Sequence, residues 1–227
     1  IAAVTDLLVE DIPVFRAREA RPEYGIRAGS IIVPNADGKG EMIREIAEGT
    51  GTDAIAVAEA IELPVWRQRK VRLGVYKPWT ANMDEGWARW VLEEFAVEYE
   101  TLENPDIRQG GLRDRFDAIL VPNMTPKHLR EGLPEKTRYR EDNHPDYVGG
   151  LGDLGLEELR RFAESGGTLI GIDQVTPALI EALALPVRNT LAGKKETEFY
   201  CPGSLLRVVA DPAHPLASRG RLHAVHL

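Results

Sequence analysis

Four groups of residues in this chain have types and spacing that could do chemistry. The first is Gly166-Gly167-Thr168-Leu169-Ile170-Gly171-Ile172-Asp173-Gln174-Val175-Thr176-Pro177. A short β-type run over 168–172 stops at Asp173. A helical run over 177–185 follows, with Pro177 just inside its start, where a missing N–H costs nothing. This is a strand–turn–helix elbow, the position at which α/β hydrolytic and amidotransfer folds place a nucleophile. Here it carries a carboxylate in place of Ser or Cys.

The second group is Cys201, the single thiol, in Glu198-Phe199-Tyr200-Cys201-Pro202-Gly203-Ser204. A catalytic Cys needs a base and a thiolate-stabilising site. No His is near it in sequence, and His144 and His214 are the imidazoles that could approach in space. The plainer reading is a buried small hydrophobe, with a Cys201-dependent hydrolase as the alternative. The third group, Gly150-Leu151-Gly152-Asp153-Leu154-Gly155, matches a dinucleotide fingerprint with Asp173 further on. That motif needs a strand feeding its first Gly, and Asp142-Asn143-His144-Pro145-Asp146-Tyr147-Val148 is no buried strand. A Gly-rich loop entering a helix is the expectation, with dinucleotide binding as the alternative. The fourth, His128 and Glu131, has zinc-peptidase spacing, with His214, His223 and His226 downstream. It falls in a charged loop between Pro126 and Pro134, so no metal site is assigned to this chain.

The elements that must position these residues read as α/β. The 227 residues suffice for one domain with a small appendage. A net charge of -8 argues against nucleic acid or an anionic membrane as partner. No apolar run approaches the roughly 20 residues of a membrane span. The chain opens at Ile1 with neither an initiator Met nor a signal-peptide pattern, and reads as a piece of something longer. Residues 1–67 form a small α/β connecting unit. It has a helix over 2–9, strands over 12–15 and 30–33, and a helix over 40–47 capped by Asn35-Ala36-Asp37, while 52–58 fits strand or helix. A polar, Pro-containing connector over 62–70 marks the boundary, and 68–227 form the second domain.

In that second domain, strands over 71–76, 99–102, 117–122 and 168–172 alternate with helices over 83–95, 153–164 and 177–185. Asn82 to Glu85 has capping-box spacing. Trp87, Trp90, Val91 and Leu92 supply that helix's apolar face, and Leu154, Leu156, Leu159 and Phe162 that of the next. A long charged loop covers 123–147, and 205–209 is a last strand candidate. This alternation implies a doubly wound, mainly parallel sheet. Loops leaving the strands' carboxyl ends gather on one edge of such a sheet. The expected crevice therefore joins Lys77, Trp79 and Asp84 with Asn123, Asp173 and Gln174. Asp84 and Glu85 are most simply first-turn acids favoured by the helix dipole.

Four segments carry a family resemblance: Arg72-Leu73-Gly74-Val75-Tyr76-Lys77-Pro78-Trp79-Thr80-Ala81-Asn82-Met83-Asp84-Glu85-Gly86-Trp87, Val148-Gly149-Gly150-Leu151-Gly152, Pro186-Val187-Arg188-Asn189, and Phe199-Tyr200-Cys201-Pro202-Gly203-Ser204. Together they resemble the C-terminal region of large bacterial proteins of the zinc carboxypeptidase (carboxypeptidase A-like) family. In those proteins a class I glutamine amidotransferase-like domain of flavodoxin-like topology follows the peptidase domain. The resemblance implies a parent zinc metallocarboxypeptidase, secreted or periplasmic, with zinc held in a peptidase domain that this stretch does not contain. No ligand or catalytic residue of that domain maps onto it. The amidotransferase-like nucleophile would be a Cys at the position of Asp173, and a carboxylate there cannot form the thioester of glutamine hydrolysis. The expectation is a non-catalytic accessory domain that binds a small-molecule or peptide ligand, or braces the preceding peptidase domain, with homo-oligomer formation open.

Overall fold

The computed structural model describes residues 1–34, 38–58, 61–136, 143–201, 205–206 and 225–226. Its contacts divide the chain into two compact units, 1–70 with 200–227, and 71–199. The sequence places 200–227 with the amidotransferase-like domain, whereas its contacts group it with the first unit. Its two short strands, β8 (Leu205–Leu206) and β9 (Val225–His226), pair antiparallel with each other and join no other sheet. The rest of the 205–209 strand candidate, and the Asn35-Ala36-Asp37 cap, lie outside the described residues.

In the first unit, helices α1 (Ala2–Val9) and α2 (Gly40–Gly49) pack with a small antiparallel sheet. Its strands are β1 (Phe15–Ala17), β2 (Ile31–Ile32) and β3 (Val65–Arg67), in the order β2-β1-β3. Leu7, Ile12 and Val14 form its buried centre, with Ile43 and Ile46 of α2 against them. The connector over 62–70 therefore contains a strand: Val65 and Trp66 pair with Ala17 and Arg16. Residues 52–58 are neither helix nor strand.

The second unit is α/β, with a four-stranded parallel sheet flanked by helices. Its strands are β4 (Leu73–Tyr76), β5 (Tyr99–Leu102), β6 (Ala118–Val121) and β7 (Thr168–Gly171), ordered β5-β4-β6-β7. Counted within the unit this is 2-1-3-4, consistent with the flavodoxin-like doubly wound fold. The handedness of the crossovers decides where the helices go. From β4 the chain steps outward to β5 through α3 (Met83–Glu94), then reverses direction to reach β6 and β7. Right-handed connections therefore put α3 on one face. They put α4 (Asn104–Gln109), α5 (Leu112–Arg115), α6 (Pro126–Glu131) and α7 (Gly152–Glu164) on the other. Helix α8 (Thr176–Ala182) packs there as well.

The multi-helix face holds the main core: Tyr76, Leu102, Ile107, Phe116, Ile119, Val121, Leu129, Leu156, Leu159 and Phe162. Leu73, Val75 and Ala118 form a smaller core on the α3 side, with Leu92, Val97, Tyr99 and Leu120 against them. Two expected helix faces need correction. Leu154 is exposed, because Gly155 and Leu156 take the inward position on α7. Trp87, Trp90 and Val91 are also exposed, and no residue of α3 is fully buried. On that helix the Glu85–Arg89 ion pair lies half-buried, with the Arg89 guanidinium 5.1 Å from the Tyr99 ring centre. Leu92 alone on α3 reaches the apolar centre. The tryptophans are thereby rotated outward.

At the amino edge of the sheet, Asp117 accepts from the Arg72 backbone N–H (3.1 Å), from the Arg72 guanidinium (2.9 Å to Oδ1) and from Arg113 (2.9 Å). The Arg72 guanidinium, and after it the Arg72 N–H and Arg113, hold this carboxyl far below the ordinary Asp value of 3.8. A folded-state pKa below the unfolded one contributes stability that is complete above the unfolded value. That contribution is lost as the pH falls below it. Wild type should therefore exceed Asp117→Asn in urea-unfolding stability at pH 6, and the difference should shrink steadily below about pH 4. A difference that is constant from pH 6 to pH 2 contradicts the ion cluster.

Candidate functional site

The crossover direction reverses between β4 and β6, which puts the topological switch point of the sheet at the carboxyl ends of these two strands. Asn123, two residues past β6, ties three loops together there. Its Nδ2 donates to Asp84 Oδ2 (3.1 Å), and its Oδ1 accepts from the Gln174 backbone N–H (3.2 Å). Its carbonyl accepts from Asn82 Nδ2 (2.8 Å). Asn82 is also the N-cap of α3, taking the Glu85 N–H at 3.0 Å. The expected capping box is half-formed, since the Glu85 carboxylate pairs with Arg89.

Asp173 begins the turn after β7 with φ +52°, a left-handed backbone rare for residues other than glycine, Asn and Asp. Ile172 before it is extended, and Asp173–Val175 make a single 3-10 turn that leads into helical Thr176. That is the geometry of a nucleophile elbow. Gly171 makes it possible. A Cβ there would come 2.5 Å from Leu179 Cδ1 and 3.2 Å from Val175 Cγ1, so its absence lets α8 close onto the end of β7. The Asp173 and Gln174 side chains are exposed. No side-chain hydrogen bond or ion pair engages the Asp173 carboxylate among the described residues.

The other expected crevice residues are placed differently. Lys77 is exposed, with its ammonium 4.0 Å from Glu103 Oε1, toward the loop after β5. Trp79 is half-buried beneath Tyr147, ring centres 4.5 Å apart, and His144 lies 5.3 Å beyond Tyr147. The Trp79 ring is thus covered, and its buried indole N–H has no acceptor among the described residues. The residues brought into one hydrogen-bonded group are therefore Asp84, Asn123 and the Gln174 backbone, with Asp173 adjacent.

Residues 123–147 are not one long loop, because α6 lies within them. Thr125 caps it, accepting from the His128 N–H at 3.1 Å, and Pro126 stands in its first turn. A Thr-Pro pair ahead of a short apolar-spaced run was the available signal for this helix. His128 Nε2 hydrogen-bonds Thr80 Oγ1, and Glu131 pairs with Lys127 at 3.7 Å. Among the described residues no three His, Cys, Asp or Glu side chains converge as a metal site would require. Cys201 is a free, partly buried thiol.

Of the fingerprint glycines, Gly150 serves close backbone contact, since a Cβ there would sit 2.6 Å from the Leu129 carbonyl oxygen, while a Cβ on Gly155 would meet the Leu151 side chain at 2.8 Å. Outside the motif, a Cβ on Gly132 would lie 2.0 Å from the Gly149 carbonyl oxygen. The Leu151 N–H donates to the Leu129 carbonyl at 2.8 Å, locking the start of α7 to the end of α6. Beneath the crevice, Tyr76 OH donates to Asn104 Oδ1 (2.6 Å), and Asn104 Nδ2 donates to the Gly149 carbonyl (2.9 Å). Both side chains are buried, and burial pushes the Tyr76 hydroxyl pKa upward. Sequence reading missed Asn104, whose place after Glu103 gave no sign that it would be buried.

The carboxyl edge is therefore an open shelf. Two hollows beside α6 are lined by Thr125, Lys127, His128 and Glu131, and by Arg130, Asp153, Glu157 and Glu181, and neither includes Asp173. Asp173→Gly should exceed Asp173→Val in stability by about 1–2 kcal/mol, since glycine holds this left-handed conformation without the strain a β-branched residue meets. Equal unfolding midpoints for the two variants contradict it.

No family model, no curated protein and no solved structure matches this chain, so the reading of the shelf rests on its geometry and its chemistry.

Proposed function

We propose that residues 71–199 form a non-catalytic, ligand-binding accessory domain with amidotransferase-like architecture, part of a zinc carboxypeptidase-like protein whose hydrolytic chemistry resides in a separate peptidase domain. The parent assignment rests on the sequence resemblance, and the observation that carries the non-catalytic reading is Asp173: an exposed carboxylate, unpaired among the described residues, at φ +52° on the elbow. Thioester chemistry needs a thiol at that position, and a carboxylate cannot replace it. The open shelf supports the same reading. Catalytic sites gain from excluding water around the reacting atoms, and Asp173 and Gln174 are both solvent-facing.

The chemistry of the shelf favours a ligand rich in N–H donors. Asp84 and Asp173 flank Asn123, and both offer carboxylate oxygens at the carboxyl edge. Lys77, the nearest cation on the β4 loop, is partly neutralised by Glu103. A primary amine or the free N-terminus of a peptide fits this pattern. The Asn123 ties to both flanking segments keep the acceptors in place before the ligand arrives, which reduces the ordering cost of binding.

Two measurements test this. The protein should show no glutamine hydrolysis above the uncatalysed rate, and ammonia release that depends on Asp173 overturns the non-catalytic reading. A short peptide with a free N-terminus should raise the melting temperature in a concentration-dependent manner. Its N-acetylated form should not, and Asp173→Asn should abolish the shift. Identical shifts with both peptides contradict the amine-accepting shelf.

A further inference from the structure

One face of the parallel sheet is only half covered. Parallel strands are ordinarily buried on both faces. Among the described residues the α3 face has a single helix, whose Leu92 packs on Leu73, Val75 and Ala118. Over β6 and β7 this face is open. Leu120 and Ile170 are register partners and so stand on the same side of the sheet. Leu120 is half-buried, Ile170 is 41% exposed, and Thr168 is exposed.

Helix α3 forms the wall of this opening, and its hydrogen bonds settle which flank faces it. Asp84 bonds to Asn123, beyond β6, and Arg89 contacts Tyr99 of β5 on the opposite flank. At 3.6 residues per turn, Asp84, Ala88, Val91 and Phe95 form one row. That row lies on the β6 side. Val91 and Phe95 are exposed along it, and Trp87 and Trp90 stand above it in a T-shaped pair with centres 5.9 Å apart. The result is an apolar slot, floored by Leu120 and Ile170 and walled by Val91, Phe95 and Trp87.

We propose that this slot is a docking site for an amphipathic helix of a partner protein, about three turns long, with an apolar face and Lys or Arg along its exposed edge. The length follows from α3, whose 12 residues lie along the neighbouring strands of the same sheet. Charge selects the edge: Glu93 is held by the Tyr99 hydroxyl on the β5 flank, and the ionisable side chains left on the outer and β6 sides of α3, Glu94 and Asp84, are both acidic. The same charges disfavour a second copy of this chain, since a two-fold pairing would set acid against acid. Area points the same way. The exposed apolar side chains around the slot amount to on the order of 500 Å². That suits one helix and falls short of the about 800 Å² per partner of a stable globular interface. This surface does not depend on the proposed role of the shelf.

The test uses two fluorescent peptides of about 14 residues, each with leucines on one helical face. One carries Lys and the other Glu at the remaining positions. Anisotropy titrations should show the Leu/Lys peptide binding the wild-type chain and the Leu/Glu peptide failing to bind. Ile170→Asp should weaken the Leu/Lys peptide at least tenfold. The substitution adds negative charge, so purely electrostatic attraction would instead strengthen the complex. Circular dichroism of the variant controls for folding, and Val91→Ser provides a second, milder probe of the same slot. Equal affinity for wild type and Ile170→Asp, binding of both peptides alike, or binding of neither overturns the proposal. Concentration-dependent dimerisation of the wild type that Ile170→Asp abolishes also overturns it, by assigning the slot to a second copy.

Discussion

The carboxyl edge of this sheet depends on one side chain. Asn123 has a donor and an acceptor on its amide, and the structure uses both, one toward Asp84 and one toward the Gln174 N–H, while its own carbonyl takes Asn82 Nδ2. Each such bond contributes only about 0.5–1.5 kcal/mol net. Their importance lies in what they connect. The loop after β4, the loop after β6 and the elbow after β7 belong to separate crossovers, and nothing in strand pairing alone fixes their relative positions. An Asp at this position would lose the donor to Asp84 and set two carboxylates against each other.

The elbow and the slot both follow from the same topology. Reversal of the crossover direction between β4 and β6 opens the shelf at the carboxyl edge. It also leaves α3 alone on its face, because every later crossover returns on the other side. A strained, exposed carboxylate and an exposed tryptophan pair both lower stability relative to what glycine and polar residues would give at the same positions. These two features are the ones on which the proposed ligand shelf and the proposed docking slot rest.

Much of the second unit was legible in the sequence, and the legible part shares a physical cause. Runs such as Asp117-Ala118-Ile119-Leu120-Val121 announce a parallel strand because both of its faces are covered. The order of strands and helices then leaves few topologies, and the convergence of Asn123, Asp84 and Gln174 follows from them. Helix rotation was not legible. The α3 sequence has two competing faces, and the one with Trp87 and Trp90 is the more apolar. The inner position went to Leu92 because Asn82 and Asp84 are held by Asn123 while Arg89 is held by Glu85 and Tyr99. Polar contacts between distant residues set that angle, and local periodicity does not contain them. The short helix α4 escaped for a similar reason, since one or two turns carry too little periodicity to register, whereas a solvated turn of helix at His128 to Glu131 could be read and α6 contains it. The covering of Trp79 by Tyr147 joins residues far apart in the chain, and no spacing rule reaches it.

The most direct test of this account is the exchange rate of the Gln174 amide proton, read by NMR in wild type and in Asn123→Ala. If Asn123 joins the elbow to the rest of the shelf, the exposed Gln174 N–H should be protected in wild type. It should then exchange about tenfold faster in the variant, the change that corresponds to losing one hydrogen bond of about 1.4 kcal/mol. Rates that are equal in the two proteins, with the Gln174 amide exchanging freely in both, contradict it.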